Sequence, residues 1–201
     1  MINGDRRPRD VVVIGGSAGA IEALVALLGK LPPDLPAAIG VVVHRPAAYV
    51  SRLAEVLDRH STLRVAEPED GAPLERGRVY LAPRDHHMVL ADGRIALDRG
   101  PQQHRFRPAV DPLFLSAART HGPRVVGVLL SGGGADGVRG LVAIKAARGI
   151  SLVQDPREAR NPTMPVNAIA EDDVDAVLPL AEVADALAVL TTGGAFAPAL
   201  P

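Results

Sequence analysis

The chain has 201 residues, 47% of them hydrophobic, with 22 Lys and Arg against 23 Asp and Glu and a formal net charge of -1. That is enough chain for one domain with a substantial core, and it leaves no basic footprint for nucleic acid. Aromatics at 2% offer no platform for stacking bases, the absence of cysteine removes disulfides, thiolate metal sites and cysteine nucleophiles, and the apolar segments are too short to insert in a membrane.

Residues 1–10, MINGDRRPRD, are charged and have no apolar core, so they are no secretory signal. They are expected to be a disordered lead into a domain over 11–190, and a cytoplasmic location is the corresponding expectation. The first buried-strand run is Val11–Ile14, followed by GGSAG and a helical pattern at Ile21, Leu24, Val25 and Leu28. PPDLP at 32–36 is a stiff connection to the strand Ile39–Val43, which ends in His44. A second helical pattern uses Val50, Leu53, Val56 and Leu57. Arg78–Ala82 and Met88–Leu97 break the rhythm, because Asp92-Gly93 between alternating segments predicts a tight antiparallel hairpin, expected to decorate one sheet edge.

A helix follows through Leu113, Phe114, Ala117 and Ala118, then the strand Val125–Leu130 and a helix through Val138, Leu141, Val142 and Ile144. The strands Ser151–Val153 and Ala176–Leu178 and a helix through Val183, Leu187 and Leu190 complete the pattern, with 191–201 read as a flexible tail. Strand and helix in repeated alternation predict an α/β, doubly wound, mainly parallel sheet with helices on both faces.

Ligands of such sheets sit at the carboxyl ends of the strands, where Gly15, Gly16 and Ser17 fall. The dinucleotide Gly-x-Gly-x-x-Gly spacing fails from either glycine, and the Gly-Lys-Ser/Thr end of a P-loop is absent. GGSAG fits the Gly-x-Ser-x-Gly elbow, which pushes a serine oxygen out above the sheet; the competing reading is a serine that only caps the next helix. A serine nucleophile needs a base and the base an orienting group. His44 ends the second strand, and Asp136 follows another strand in GVLLSGGGADGVRG, so three strands bring Ser, His and Asp to one rim. Each has a plainer reading: a structural histidine, and an aspartate at a turn or helix cap.

The motifs IGGSAGAIEAL, VVVHRP, GAPLERGRVYLAPRDHHMVL, PAVDPLFLSAA, GVLLSGGGADGVRGL and SLVQDPREARNPTMPVNAI, running from Val11 to Leu190, resemble the catalytic domain of the chemotaxis-receptor protein-glutamate methylesterases, the CheB type. The resemblance implies Ser17 as nucleophile, His44 as general base and Asp136 as the group orienting it. The implied reaction is hydrolysis of glutamate γ-methyl esters on the cytoplasmic helices of chemoreceptor-type proteins, with release of methanol and a related deamidation of glutamine. Backbone N–H groups near Ala18 and Gly133 are the candidates for the oxyanion hole, Gly133 by position alone. No cofactor and no metal are implied. The alternatives are a binding module of the same fold or a hydrolase of an unrelated small ester or amide.

Against the family pattern, Ala18 replaces a threonine beside the serine. Arg45 stands where methionine is usual and is expected to place a charge at the mouth of the site. Gly132-Gly133-Gly134 lacks the usual methionine and is expected to be more mobile. The amino-terminal receiver domain of typical members is missing, which suggests a stand-alone esterase, open or controlled by a separate regulatory receiver protein. His60, His104 and His121 read as surface residues, and His86 and His87 point to opposite strand faces. The basic run QQHRFRP at 102–108 reads as a solvated loop or a surface that meets acidic receptor helices.

Overall fold

The computed structural model describes residues 8–45, 51–171 and 174–197. Val50, the first residue of the second helical pattern, lies outside these, as do residues 1–7 and 198–201 of the two expected disordered ends.

Strand β1 (Val11–Gly16) is buried along its whole length because it is the centre of the sheet. Its β-branched run suits the pleat, and alternate side chains serve two cores. Val12 and Ile14 face one layer with helices α1 (Ala20–Leu28), α2 (Leu53–His60) and α6 (Leu180–Thr191). Val11 and Val13 face the other, with α3 (Val110–His121), α4 (Val138–Ala146) and α5 (Thr163–Glu171).

The remaining strands are β2 (Ala38–Val43), β3 (Arg64–Ala66), β4 (Arg78–Leu81), β5 (His87–Ala91), β6 (Arg94–Asp98), β7 (Val125–Leu129), β8 (Ile150–Gln154) and β9 (Ala176–Leu178). Six of them join β1 in one seven-stranded parallel sheet in the order β3-β4-β2-β1-β7-β8-β9. The order reverses between β1 and β7, which opens a crevice above their carboxyl ends. The hairpin β5–β6 turns at Asp92-Gly93, both at positive φ, and makes its own two-stranded antiparallel sheet. Rather than extending the main sheet, it packs Met88, Leu90 and Ile95 into the core beside α3.

Described residues at both ends expected to be disordered are packed into the fold. Arg9 and Asp10 are buried, Arg9 donating to the carbonyls of Pro123 and Arg148 and Asp10 held by Arg76 and Arg124. At the other end Thr191 closes α6 and Phe196 packs into the first core.

Helix α3 is the element that matters most for the site. Val110, Leu113, Phe114 and Ala117 are fully buried, and each larger side chain contributes roughly 1.5–3 kcal/mol of burial. Glycine lets it come close: a Cβ on Gly15 would lie 2.2 Å from Val110 Cγ1, one on Gly137 2.7 Å from the same atom, and one on Gly140 2.3 Å from Phe114 Cβ. The amino end of α3 is thus wedged against the end of β1 and the start of α4.

Candidate active site

Ser17, His44 and Ser131 follow β1, β2 and β7, and the hydrogen-bond ladder of the sheet carries on past the strands to fix them. The Ser17 N–H donates to the Ser131 carbonyl at 2.9 Å, the His44 N–H to Gly16 at 3.3 Å and the Leu130 N–H to Gly15 at 2.9 Å. The chain then turns at Gly19, φ +83°, where a Cβ would lie 2.6 Å from Arg160 Cβ and 2.7 Å from Ser131 Oγ. Only glycine suits both the backbone and the space.

The Ser17 side chain makes no cap to α1, whose capping position Gly19 has no side-chain hydrogen bond. Ser17 Oγ instead lies 3.0 Å from His44 Nδ1, and His44 Nε2 lies 2.6 Å from Asp136 Oδ2. The imidazole is 3% exposed and the Asp136 side chain 2%. All three residues line one open cleft of 530 Å³ at the crevice, with Ala18, Gly133, Gly134, Asn161, His104 and Phe106.

Asp136 is held by more than its histidine. Oδ2 also accepts the Val110 N–H at 2.7 Å and Oδ1 the Asp111 N–H at 2.9 Å, so Asp136 caps α3 from across the crevice. Asp111 returns the cap, accepting the N–H groups of Gly137 at 3.1 Å and Gly140 at 2.9 Å at the start of α4. Burial pushes the Asp136 carboxyl up, but the hydrogen bonds from His44, Val110 and Asp111 outweigh it and hold it below the usual carboxylate range. Asp111, fully buried, is pushed up by that burial and by the charge of Asp136, against the bonds from Gly140 and His104. The two adjacent carboxylates are thus shifted in opposite directions, and it is the one beside the imidazole whose ionised form is favoured.

Among the described residues neither the Ala18 nor the Gly133 N–H donates to protein, and both groups border the cleft. The three-glycine loop, expected to be mobile, is tied at three points. The Gly132 N–H donates to Asn161, the Met164 N–H to Gly132 and Asn167 Nδ2 to Gly134. Ser131 Oγ adds a bond to the Ala18 carbonyl at 2.7 Å and accepts the Asn161 N–H at 2.9 Å.

Two expectations are corrected. Arg45 does not face the cleft: it is buried, paired with Glu67 at 2.9 Å and bonded to the Ala82 carbonyl, because a side chain alternates face just past the strand end. His104 is no plain surface residue, since its Nε2 lies 3.1 Å from Asp111 Oδ2 and 3.9 Å from Asp136 Oδ1. Sequence reasoning also missed Phe106, whose ring stacks on His44 with centroids 3.7 Å apart and planes 10° apart. The signal available was the position of QQHRFRP just before the helix that Asp136 caps. His87 is buried, with Nε2 at 3.0 Å from the Pro101 carbonyl and Nδ1 accepting the Ala109 N–H.

The ligand atoms of His104, Asp111 and Asp136 lie within 4.8 Å of one another and are the group that could hold a metal among the described residues. Their oxygens already serve His44, His104 and four backbone N–H groups. The arrangement is complete as a hydrogen-bonded one.

The CheB methylesterase family model matches residues 12–187. A protein-glutamate methylesterase/protein-glutamine glutaminase of Anaeromyxobacter dehalogenans is 46% identical over 182 residues, covering 90% of this chain and 53% of that protein. One of Symbiobacterium thermophilum is 40% identical over 185 residues, covering 92% and 51%. The chain thus spans about half the length of the curated relatives it matches. The crystal structure of the Thermotoga maritima CheB methylesterase catalytic domain superposes with a TM-score of 0.84 at 34% identity, over 89% of this chain and 97% of that one. With a family match over most of its length and a shared fold, the chain belongs to the CheB methylesterase family.

Proposed function

We propose that this protein is a serine hydrolase that removes the methyl ester from glutamate side chains of receptor proteins. The observation that carries the reading is the line Ser17 Oγ, His44, Asp136 at the crevice of the sheet, in a chain of the methylesterase family. Ionised Asp136 accepts the Nε2–H of His44, which leaves the Nδ1 lone pair toward Ser17. His44 takes the hydroxyl proton as Ser17 Oγ attacks the ester carbonyl, and returns it to the departing methoxide, so methanol leaves and an acyl-enzyme remains. Water, activated by the same Nδ1, releases glutamate. The N–H groups of Ala18 and Gly133 are the oxyanion donors in this scheme, and the same steps with ammonia as leaving group deamidate glutamine.

The substrates in this reading are methylated cytoplasmic helices of chemoreceptor-type proteins, placing the reaction in the cytoplasm. No helix among the described residues is long and apolar enough to cross a membrane. A separate regulatory receiver protein would act by covering the open cleft.

The test is methanol release from a methylated receptor cytoplasmic fragment by the wild type, Ser17→Ala and His44→Ala. Each variant is expected to lose roughly 10⁴- to 10⁶-fold in rate while retaining its fold. An inert wild type that still binds the fragment would replace the esterase with a binding module.

A further inference from the structure

The segment between the hairpin and α3 does more than fill a gap. Gln103 and Phe106 exchange two backbone hydrogen bonds, at 3.1 and 2.8 Å, around His104 and Arg105, both at positive φ without being glycine (50° and 69°). A turn of two left-handed non-glycine residues persists only where its surroundings over-determine it. Here they do. Arg107 ties the base of the turn to Asp85 at 2.5 Å and to the carbonyls of Arg99 and Gly100 at 3.0 and 2.7 Å, and His104 ties its tip to Asp111 at 3.1 Å. What this strap delivers to the cleft is the ring of Phe106, laid flat on His44.

The two hydrogen bonds of His44 both lie at the edge of its ring. They fix the ends of the imidazole but leave it able to tilt about the line joining its nitrogens, and a tilt turns the Nδ1 lone pair out of line with Ser17 Oγ. A phenyl face parallel to the imidazole at 3.7 Å opposes that tilt. The face also carries the negative side of the ring quadrupole, so it favours the imidazolium that forms as Ser17 gives up its proton. Phe106 is 38% exposed. Its exposed side borders the cleft.

We propose that Phe106 is a positioning residue for the general base: stacked on His44, it holds the imidazole in the plane that joins Ser17 to Asp136 through the proton transfer. The proposal rests on the hydrolase reading above and acts on kcat, because the ring of Phe106 acts through His44.

The experiment compares wild type, Phe106→Leu and Phe106→Tyr, since leucine keeps an apolar side chain without the flat face and tyrosine keeps the face. Two rates are measured: methanol release from the methylated receptor fragment, and phosphonylation of Ser17 by a fluorophosphonate probe. In the second, an O–P bond forms at Oγ, the P–F bond breaks, fluoride leaves and His44 takes the proton. Leucine is expected to lower kcat and the labelling rate together by about tenfold, with KM within about twofold of wild type, and tyrosine to restore both. Wild-type rates in the leucine variant, a loss confined to KM, or a tyrosine variant as slow as leucine would each overturn the role. If the wild type labels but releases no methanol, the methylesterase reading fails, and the labelling ratio of the three proteins still decides for or against Phe106. A wild-type Ser17 that reacts with neither reagent overturns both.

Discussion

Asp136 answers to three donors at once, and that makes its substitution a sharper probe than removal of the serine. In Asp136→Asn only one oxygen remains to accept from Val110, Asp111 and His44, which together now make three bonds of 2.6 to 2.9 Å to the carboxylate. In the Oδ1 place the NH2 group faces the Asp111 N–H; in the Oδ2 place it faces both the Val110 N–H and the imidazole. If it faces the imidazole, His44 takes the wrong tautomer and directs Nδ1–H at Ser17; a loss of roughly 10³- to 10⁴-fold in methanol release is expected. Thermal unfolding should separately register about 1–3 kcal/mol for the unmatched buried group. Ser17→Ala, by contrast, should leave stability almost unchanged. Asp136 was legible in the sequence because it follows a strand of the central sheet, but its second task was not. Asp111, its reciprocal partner, sits 25 residues away in chain order, and nothing in VDPLF identifies the helix it caps.

At the level of elements, the strand ends were legible because parallel strands buried on both faces read as continuous aliphatic runs, and the rim follows from their winding. What escaped were elements whose burial is decided elsewhere. Strand β3 has three residues, with only Val65 buried, and α5 carries Pro165 in its first turn and buries only Met164, Pro165 and Ala168, too weak a stripe to read as a helix. The strap over His44 escaped for the same reason, since its conformation is imposed by Asp85, Asp111 and the carbonyls of Arg99 and Gly100 just after the hairpin. The glycines, in turn, read as turn formers in the sequence, yet Gly15 lies within β1 and serves to seat α3. Gly15→Ala should therefore cost about 1–3 kcal/mol by overpacking against Val110 and, by displacing the helix that Asp136 caps, lower kcat as well. Val110→Ala in the same chain should return part of both losses, measured by denaturant unfolding and methanol release; a double variant no better than Gly15→Ala would place the strain elsewhere.

Across the whole molecule, buried carboxylates sit at both ends of the central strand with opposite consequences for pH. Asp10, just before β1, is pushed up by burial but held below the usual range by Arg124 and Arg76. Its folded value lies under its unfolded value of about 3.9, so its stabilisation is complete above that pH and is lost as pH falls through the folded value. Asp111, at the crevice end, has a folded value above its unfolded one. Its ionisation therefore favours unfolding, by an amount that is nil below about pH 3.9 and grows until pH passes the folded value. Asp10→Asn should lower Tm at pH 7, with the gap to wild type closing in acid. Asp111→Asn keeps an oxygen for Gly137 and Gly140 and relieves the repulsion with Asp136, so it should match or exceed the wild-type Tm at pH 7, any gain vanishing in acid. Thermal unfolding of the three proteins between pH 3 and pH 7 checks both signs, and an Asp111→Asn Tm well below wild type at pH 7 would mean that its hydrogen bond with His104 outweighs the repulsion. The crevice end then carries the electrostatic cost of holding Asp136 beside a second carboxylate, while at the opposite end of the sheet the burial of Asp10 is offset by its own two arginines.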